Sequence, residues 1–326
     1  MPDPVHCREI ARRFNERRFI IMPVAHHMGF EIAENKFRLV ELRSQAGELS
    51  ILHADEYETE YNFGSHLLHD APYNEVLAKS FLRDLTQFFR RQQIFSSSVS
   101  IALTSHVPFI STLPIDVRLR DEEVQEHLQW EYALLSDISR REDITFFPFL
   151  LRENCDANTY LCISVPRQTV EFLKTSFSLF TLNTKVLTVD HFAVEHAVQR
   201  FGGQNACALI GLHRQYYTLS LIDKEKYIGF KTGKLSSTEY HLAPILRSLQ
   251  ELMHLNENQR CDIVYMYGSA CDDAIVSSLE ALLNIRVRTF SPLANIAFAQ
   301  QTHAQRAMVF APSTFCAALG SAMQQE

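Results

Sequence analysis

The residues best placed to do chemistry sit at two strand–turn–strand units. The first is Gly29-Phe30-Glu31-Ile32-Ala33-Glu34-Asn35-Lys36-Phe37-Arg38-Leu39-Val40-Glu41-Leu42, and the second runs from Cys207 to Ile222. Such a turn handles a metal-bound phosphate when it carries a carboxylate, which orients Mg²⁺ or its water. It also needs a glycine, which lets backbone N–H groups approach the phosphate oxygens. The first turn offers Glu31-Ile32-Ala33, followed by Asn35, and the second offers Gly211-Leu212-His213, followed by Gln215. Glu31 is one methylene longer than Asp and still reaches a metal. Gly211 supplies no ligand, and His213 puts a ring where a glycine would be needed. A third turn, Gly268-Ser269-Ala270, holds a single glycine. The turns therefore lack the paired carboxylate and glycine that such chemistry needs.

Other clusters carry less. His66-x-x-His69-Asp70 has helical spacing for a metal, but no fourth ligand is apparent, and a surface cluster is the expectation. His26-His27 needs no metal. His191 and His196 are five apart, which does not put them on one helical face. Cys7 beside His6 suggests a reactive thiol, but sequence neighbours rarely make a catalytic pair. Asp121, Glu122 and Glu123 read as a helix start, where acids complement the dipole. No P-loop, G-x-G-x-x-G or G-x-S-x-G is found.

The elements that must position these residues fit a two-lobed chain of 326 residues. Hydrophobic residues make up 46%, enough for a substantial core, and only 10 glycines argue mildly against a nucleotide enzyme. The formal charge of −7 leaves no basic field to gather nucleic acid. Seven cysteines, an odd number with no C-x-x-C pair, point to reduced thiols in a cytoplasm. No apolar run approaches the ~18 residues that span a bilayer, and no signal peptide is visible.

Residues 4–18 are rich in arginine, and a solvated N-terminal helix is expected there in preference to a membrane-binding arm. Strands are expected over 19–24, 29–42 and 48–58. A helix is expected over 75–93, where Leu77, Phe81, Leu85, Phe88 and Phe89 recur at spacings of three and four. Residues 104–182 read as a strand-helix-strand-strand-helix insert. Asp190 is expected to cap a helix running to about Arg200. Gly202-Gly203-Gln204-Asn205 marks a lobe boundary. A helix over 236–256, the strand–helix–strand 262–289 and a last helix over 312–323 complete the second half. The hairpin-then-helix pattern recurs at about half the length.

In this order the elements resemble PilM, the cytoplasmic actin-like component of type IV pilus assembly, and its relative FtsA of cell division. Four stretches between residues 28 and 323 carry the resemblance. The first runs from Glu31-Ile32 through Lys36-Phe37-Arg38-Leu39-Val40-Glu41-Leu42. The second joins Val99-Ser100-Ile101-Ala102-Leu103 to Leu113-Pro114, Arg120-Asp121-Glu122-Glu123 and Trp130-Glu131. The third is Thr184-Lys185-Val186-Leu187-Thr188-Val189-Asp190 with Ala193 and Glu195. The fourth and most specific is Asn284-Ile285-Arg286-Val287-Arg288, Ser291-Pro292-Leu293-Ala294-Asn295-Ile296, Phe310-Ala311-Pro312 and Ala317-Ala318-Leu319-Gly320. The departures fall on the turns. Where the family has Asp and Gly, this chain has Glu31 and Ala33 in one and Gly211 and His213 in the other. The adenosine loop is reduced to Gly268-Ser269.

The resemblance implies an α/β, actin-like (ribonuclease H-like) two-lobe fold with a PilM/FtsA-type extra subdomain. Its expected parts are a basic arm at 1–18, a first lobe at 19–205 with the insert 104–182, a second lobe at 206–311, and a C-terminal helix at 312–326 packed on the first lobe. It further implies a cytoplasmic adaptor, peripheral to the inner membrane through its partners. That adaptor would bind the tail of a PilN-like membrane protein and possess no nucleic-acid partner. It would serve a type IV pilus or type II secretion-like platform, with other platform proteins as further partners. With Glu31, Ala33, Asn35, Gly211, His213, Gln215, Gly268 and Ser269 as degenerate pocket positions, it would be a pseudo-ATPase without ATP, Mg²⁺ or other cofactor. The alternatives are an active actin-like ATPase, a sugar-kinase relative, or an FtsA-like membrane-tethered polymer. Against the last, the chain stops soon after Met323 with no amphipathic anchor.

Overall fold

A computed structural model describes residues 25–45, 47–135, 144–152, 157–202, 206–223, 226–235, 242–254, 261–291, 295–299 and 306–324. The arginine-rich segment 1–18 and the strand expected at 19–24 lie outside the described residues, as does the first part of the helix expected over 236–256.

Two sheets share one topology. In the first, β1 (Ala25–Ala33), β2 (Lys36–Gln45) and β3 (Glu48–Glu58) form an antiparallel meander. On the other side of β1, β4 (Ser98–Leu103) and β8 (Asn183–Val189) add in parallel. The second sheet repeats this with β9 (Cys207–Leu212), β10 (Tyr216–Asp223) and β11 (Lys226–Lys234), then β12 (Ile263–Tyr267) and β13 (Arg286–Thr289) in parallel. The short β14 (Ala297–Phe298) joins β3 at the outer edge of the first sheet. Two antiparallel hairpins thus feed two parallel crossovers, each opening half of the chain.

The period-two pattern of β1 explains its central place. Met28, Phe30 and Ile32 are fully buried in one core, while Gly29 and Glu31 face the other way. That first core is closed by α2 (Glu75–Arg90), following the short α1 (Leu67–Asp70). Asn74 caps α2 by accepting from the Val76 and Leu77 N–H groups. Its buried stripe of Leu77, Phe81, Leu85, Phe88 and Phe89 has the spacing expected from sequence.

Between β4 and β8 the chain forms a small antiparallel sheet of β5 (Phe109–Asp116), β7 (Ala157–Pro166) and β6 (Ile144–Arg152), in the order β5-β7-β6. One face packs on α3 (Asp121–Leu135) through Leu113, Ile115 and Leu128. The strand β5 runs through Pro114 to Asp116. It is an edge strand, where a missing N–H breaks no ladder. Next, α4 (Arg167–Ser178) leads back to β8.

The two halves share a core. The helix α5 (Asp190–Phe201) and the final helix α9 (Cys316–Met323) lie between them. Their Ala193, Ala197, Ala318 and Ala322 pack with Val40 and Leu42 of the first sheet and with Leu209 and Tyr267 of the second. All eight residues of α9 are buried. Close approach explains its small residues. A Cβ on Gly320 would stand 1.9 Å from the Ala193 carbonyl oxygen, and one on Gly29 would stand 1.9 Å from that of Ala318. The second sheet is covered by α6 (Leu242–His254) and α7 (Asp273–Leu283), and α8 (Arg306–Phe310) precedes a 3₁₀ turn at Pro312–Phe315.

Candidate functional site

The turns differ from the sequence expectation in place. The strand β1 continues through Ala33, so Glu31 and Ala33 are strand residues and the tight turn is Glu34-Asn35. Glu34 takes a left-handed φ of 35° there. Likewise Gly211 lies within β9, and the second turn begins at His213. Strand pairing extends each hairpin by two or more residues past the point where composition alone marks a turn.

The first turn is covered by the chain that follows β3. The Thr59 N–H donates to the Asn35 carbonyl at 2.8 Å, and the Gly64 N–H donates to the Glu34 carbonyl at 2.8 Å. Gly64 sits so close that a Cβ would lie 2.0 Å from the Glu34 nitrogen. Asn35 itself points to solvent and donates to Glu58 at 3.3 Å.

Beneath this turn Glu31 is 2% exposed, with one oxygen 3.3 Å from the Arg38 guanidinium. Arg38 also reaches Glu56 at 3.4 Å. Burial pushes the Glu31 carboxyl up to about 7 against the pull of Arg38. Its second oxygen has no hydrogen-bond partner among the described residues.

The second turn is closed by its own aromatic residues. The His213 N–H donates to the Tyr216 carbonyl at 3.0 Å. The two rings stack with centroids 4.3 Å apart and planes 10° from parallel. Tyr216 is also touched by the His106 ring at 4.4 Å. Burial pulls His213 down to about 3 and His106 to about 4, so both are neutral near pH 7. Gly211 is held against side chains, for a Cβ there would come within 2.5 Å of both the Thr218 hydroxyl and the Tyr267 hydroxyl.

Asp190 and His191, at the start of α5, tie the halves together. Asp190 was expected to cap this helix from outside. Instead it is the first helical residue, and its carboxylate accepts from the Ser105 hydroxyl and from Tyr216 at 3.2 Å. His213 Nε2 lies 3.6 Å from the same carboxylate. His191 is fully buried, with Nδ1 3.0 Å from the Tyr267 hydroxyl and 2.8 Å from that of Thr218, and Nε2 2.9 Å from Ser220. Glu195, one turn on, lies 3.4 Å from His191.

Of the positions singled out in sequence, Glu31, Ala33, Gly211, His213 and Gly268 are buried where the halves meet, and Gln215 and Ser269 are exposed. Gly268, at φ 111°, lies against Leu212, where a Cβ would stand 2.3 Å from the carbonyl oxygen. Sequence reasoning missed Ser105, His106, Tyr216 and Tyr267, and set His191 aside on its spacing from His196. Arg38, Asp190 and Glu195 stood within the stretches that carried the family resemblance. Their meeting is a tertiary event that no local spacing encodes. His69 is spent on the Val107 carbonyl at 2.9 Å and Thr169 at 3.1 Å. Among the described residues no group of three His, Cys, Asp or Glu is placed to hold a metal ion.

A second feature is an apolar groove of about 550 Å³ between the small sheet and the first lobe. Phe147 and Phe149 of β6 and Ile163 of β7 form one wall, and Val186 and Leu187 of β8 the other. Phe149 is 53% exposed. Beside Phe147 the groove passes into a shallower, polar stretch with Arg167, Lys174 and Lys185.

No protein-family model matches the chain, and no curated protein matches it significantly in sequence. Solved structures do. The chain is similar to the structure of a PilM–PilN type IV pilus biogenesis complex, with 15% identity and a TM-score of 0.63 over 93% of this chain and 99% of the other. It is also similar to a protein of unknown function with an actin-like ATPase fold from Bacteroides thetaiotaomicron. That match has 11% identity and a TM-score of 0.53 over 92% and 96% of the two chains. The protein has the actin-like ATPase fold, with one hairpin-and-crossover strand order repeated in its two larger sheets. Among the described residues no helix is long and apolar enough to cross a membrane.

Proposed function

We propose that this protein is a PilM-like, non-catalytic adaptor that binds the cytoplasmic tail of a PilN-like inner-membrane protein. It would work at the cytoplasmic face of a pilus or secretion platform, held to the inner membrane through its partners. The carrying observation is the cleft. His213, Tyr216, Asp190, His191 and Tyr267 are packed together at the hairpin where a nucleotide's phosphates would sit.

A magnesium nucleotide does not fit these residues. Glu31 is already matched by Arg38, a fixed cation in place of a metal. The first turn has its carbonyls bound to the covering chain. The second has side chains against Gly211, so its backbone offers no open approach. The polar network does instead what a bridging ligand would do, and holds the two halves in one arrangement.

Recognition then falls to the groove. An extended tail laid in an apolar channel needs no chemistry and is a common binding mode. The similarity to a PilM bound to PilN supports a tail of that kind. The test uses synthetic cytoplasmic tails of the host's single-span pilus and secretion proteins, measured against the full chain and against Phe149→Glu. Phe149 is half exposed, so the variant should fold normally and lose the tail. Undiminished binding to that variant overturns the groove reading.

A further inference from the structure

We propose that the groove is completed by a partner segment that adds as a strand to β8 and carries acidic side chains over Arg167, Lys174 and Lys185. This rests on the groove reading above and specifies the chemistry of its occupant.

The first observation is the free edge. The six-stranded sheet ends at β8, whose outer side pairs with no strand among the described residues. An edge strand presents a row of backbone N–H and C=O groups that another extended segment can satisfy. The Thr184 hydroxyl on this strand is buried and has no partner among the described residues.

The second observation is the wall beside that edge. Thr145, Phe147 and Phe149 alternate along β6 and face the groove with β8 opposite. A segment paired to β8 would turn every second side chain onto these rings. Exposed phenylalanines beside an unpaired strand suit an occupant with alternate apolar residues.

The third observation is charge. Where the groove runs toward the start of β8, Arg167, Lys174 and Lys185 line it against one carboxylate, Glu171. Lys174 already meets Glu171 at 3.4 Å, leaving Arg167 and Lys185 exposed beside it. A net positive end on a protein of charge −7 is a local feature that selects carboxylates.

The probes are three fluorescein-labelled ten-residue peptides that alternate Leu or Val with Ser and end in two Glu, two Gln or two Lys. Binding is read by fluorescence anisotropy on the full chain at low salt. The Glu-ended peptide should bind about tenfold more tightly than the Lys-ended one, as several weak exposed pairs acting together would give. The order should reverse in a R167E/K174E/K185E variant, whose three changes are all at exposed positions. N-methylation of alternate residues should weaken the Glu-ended peptide by about tenfold or more by removing its ladder donors. Equal binding of the three peptides, or of the N-methylated one, overturns the inference. So does a triple variant that loses only its adhesion to anionic vesicles, which would assign the cations to a membrane. A native tail that still requires Phe149 but ignores the charge reversal would sink this inference alone. No binding of tails or peptides would sink both.

Discussion

His213 and Tyr216 stack face to face across the second hairpin turn, 4.3 Å between ring centroids, with Asp190 3.6 Å from the imidazole and 3.2 Å from the phenol. Three residues from two elements thus pack the second turn against the start of α5. Burial pulls His213 down to about 3, so the imidazole in this stack is neutral near pH 7.

That shift has a sign. A histidine neutral in the folded state and protonated when unfolded contributes stability that is complete above its unfolded value, near 6.5. That contribution is lost as the pH falls toward about 3. His106 and His27, both pulled down to about 4 by burial, act in the same direction. Stability should therefore fall between pH 6.5 and 4. His213→Gln should reduce the slope by one proton, about 1.4 kcal/mol per pH unit. Urea midpoints at pH 7 and pH 5 for the two proteins measure this. An unchanged slope would show that His213 is not held neutral.

Glu31 acts in the opposite sense. Its carboxyl, raised to about 7 by burial, contributes stability that is full below its unfolded value near 4.5 and lost as the pH rises through 7. Glu31→Gln should therefore gain in relative stability between pH 5 and pH 8. Arg38→Ala should cost less than the about 3–5 kcal/mol of a broken buried pair, because the Glu31 carboxyl, freed of the cation that pulls it down, takes up a proton instead of standing as an uncompensated charge. Chemical denaturation of both variants at the two pH values checks the pair.

Restoring the missing acid should not restore nucleotide binding. Gly211→Asp puts a side chain where the Thr218 and Tyr267 hydroxyls stand 2.5 Å from the new Cβ. Overpacking of this kind costs about 1–3 kcal/mol. A lowered melting temperature with no response to Mg-ATP is expected. A melting temperature raised by Mg-ATP would mean that the cleft accepts the ligand once the carboxylate is present.

The final helix should be intolerant of size. Gly320→Ala and Gly29→Ala each add a methyl group against backbone oxygen, which cannot move aside as a side chain can. Each should destabilise by about 3 kcal/mol or more, at the upper end for overpacking. An exposed control, Ser269→Ala, should stay within about 0.5 kcal/mol. Thermal unfolding of the three variants is the measurement.

Much of the fold was legible because it rests on local signals. The 3.6-residue stripe of α2 and the strand–turn–strand unit of β1 and β2 were read within a few residues of their places. The pocket positions were legible only as absences. Reading Ala33 and Gly211 as turn residues misplaced both hairpins, since strand pairing carries each of them inward. The contents of the cleft were not legible. His191 looked isolated because its partners, Tyr267, Thr218 and Ser220, come from distant strands, and only packing brings them together.

The most direct test of a nucleotide-free adaptor is calorimetric titration of the full chain with Mg-ATP, at protein concentrations that detect a Kd near ~1 mM, about −4 kcal/mol. The account predicts no binding heat. A micromolar Kd would contradict it. It would mean that His213 and Tyr216 move aside for the nucleotide, that Glu31 recruits the metal, and that assembly is gated by ATP.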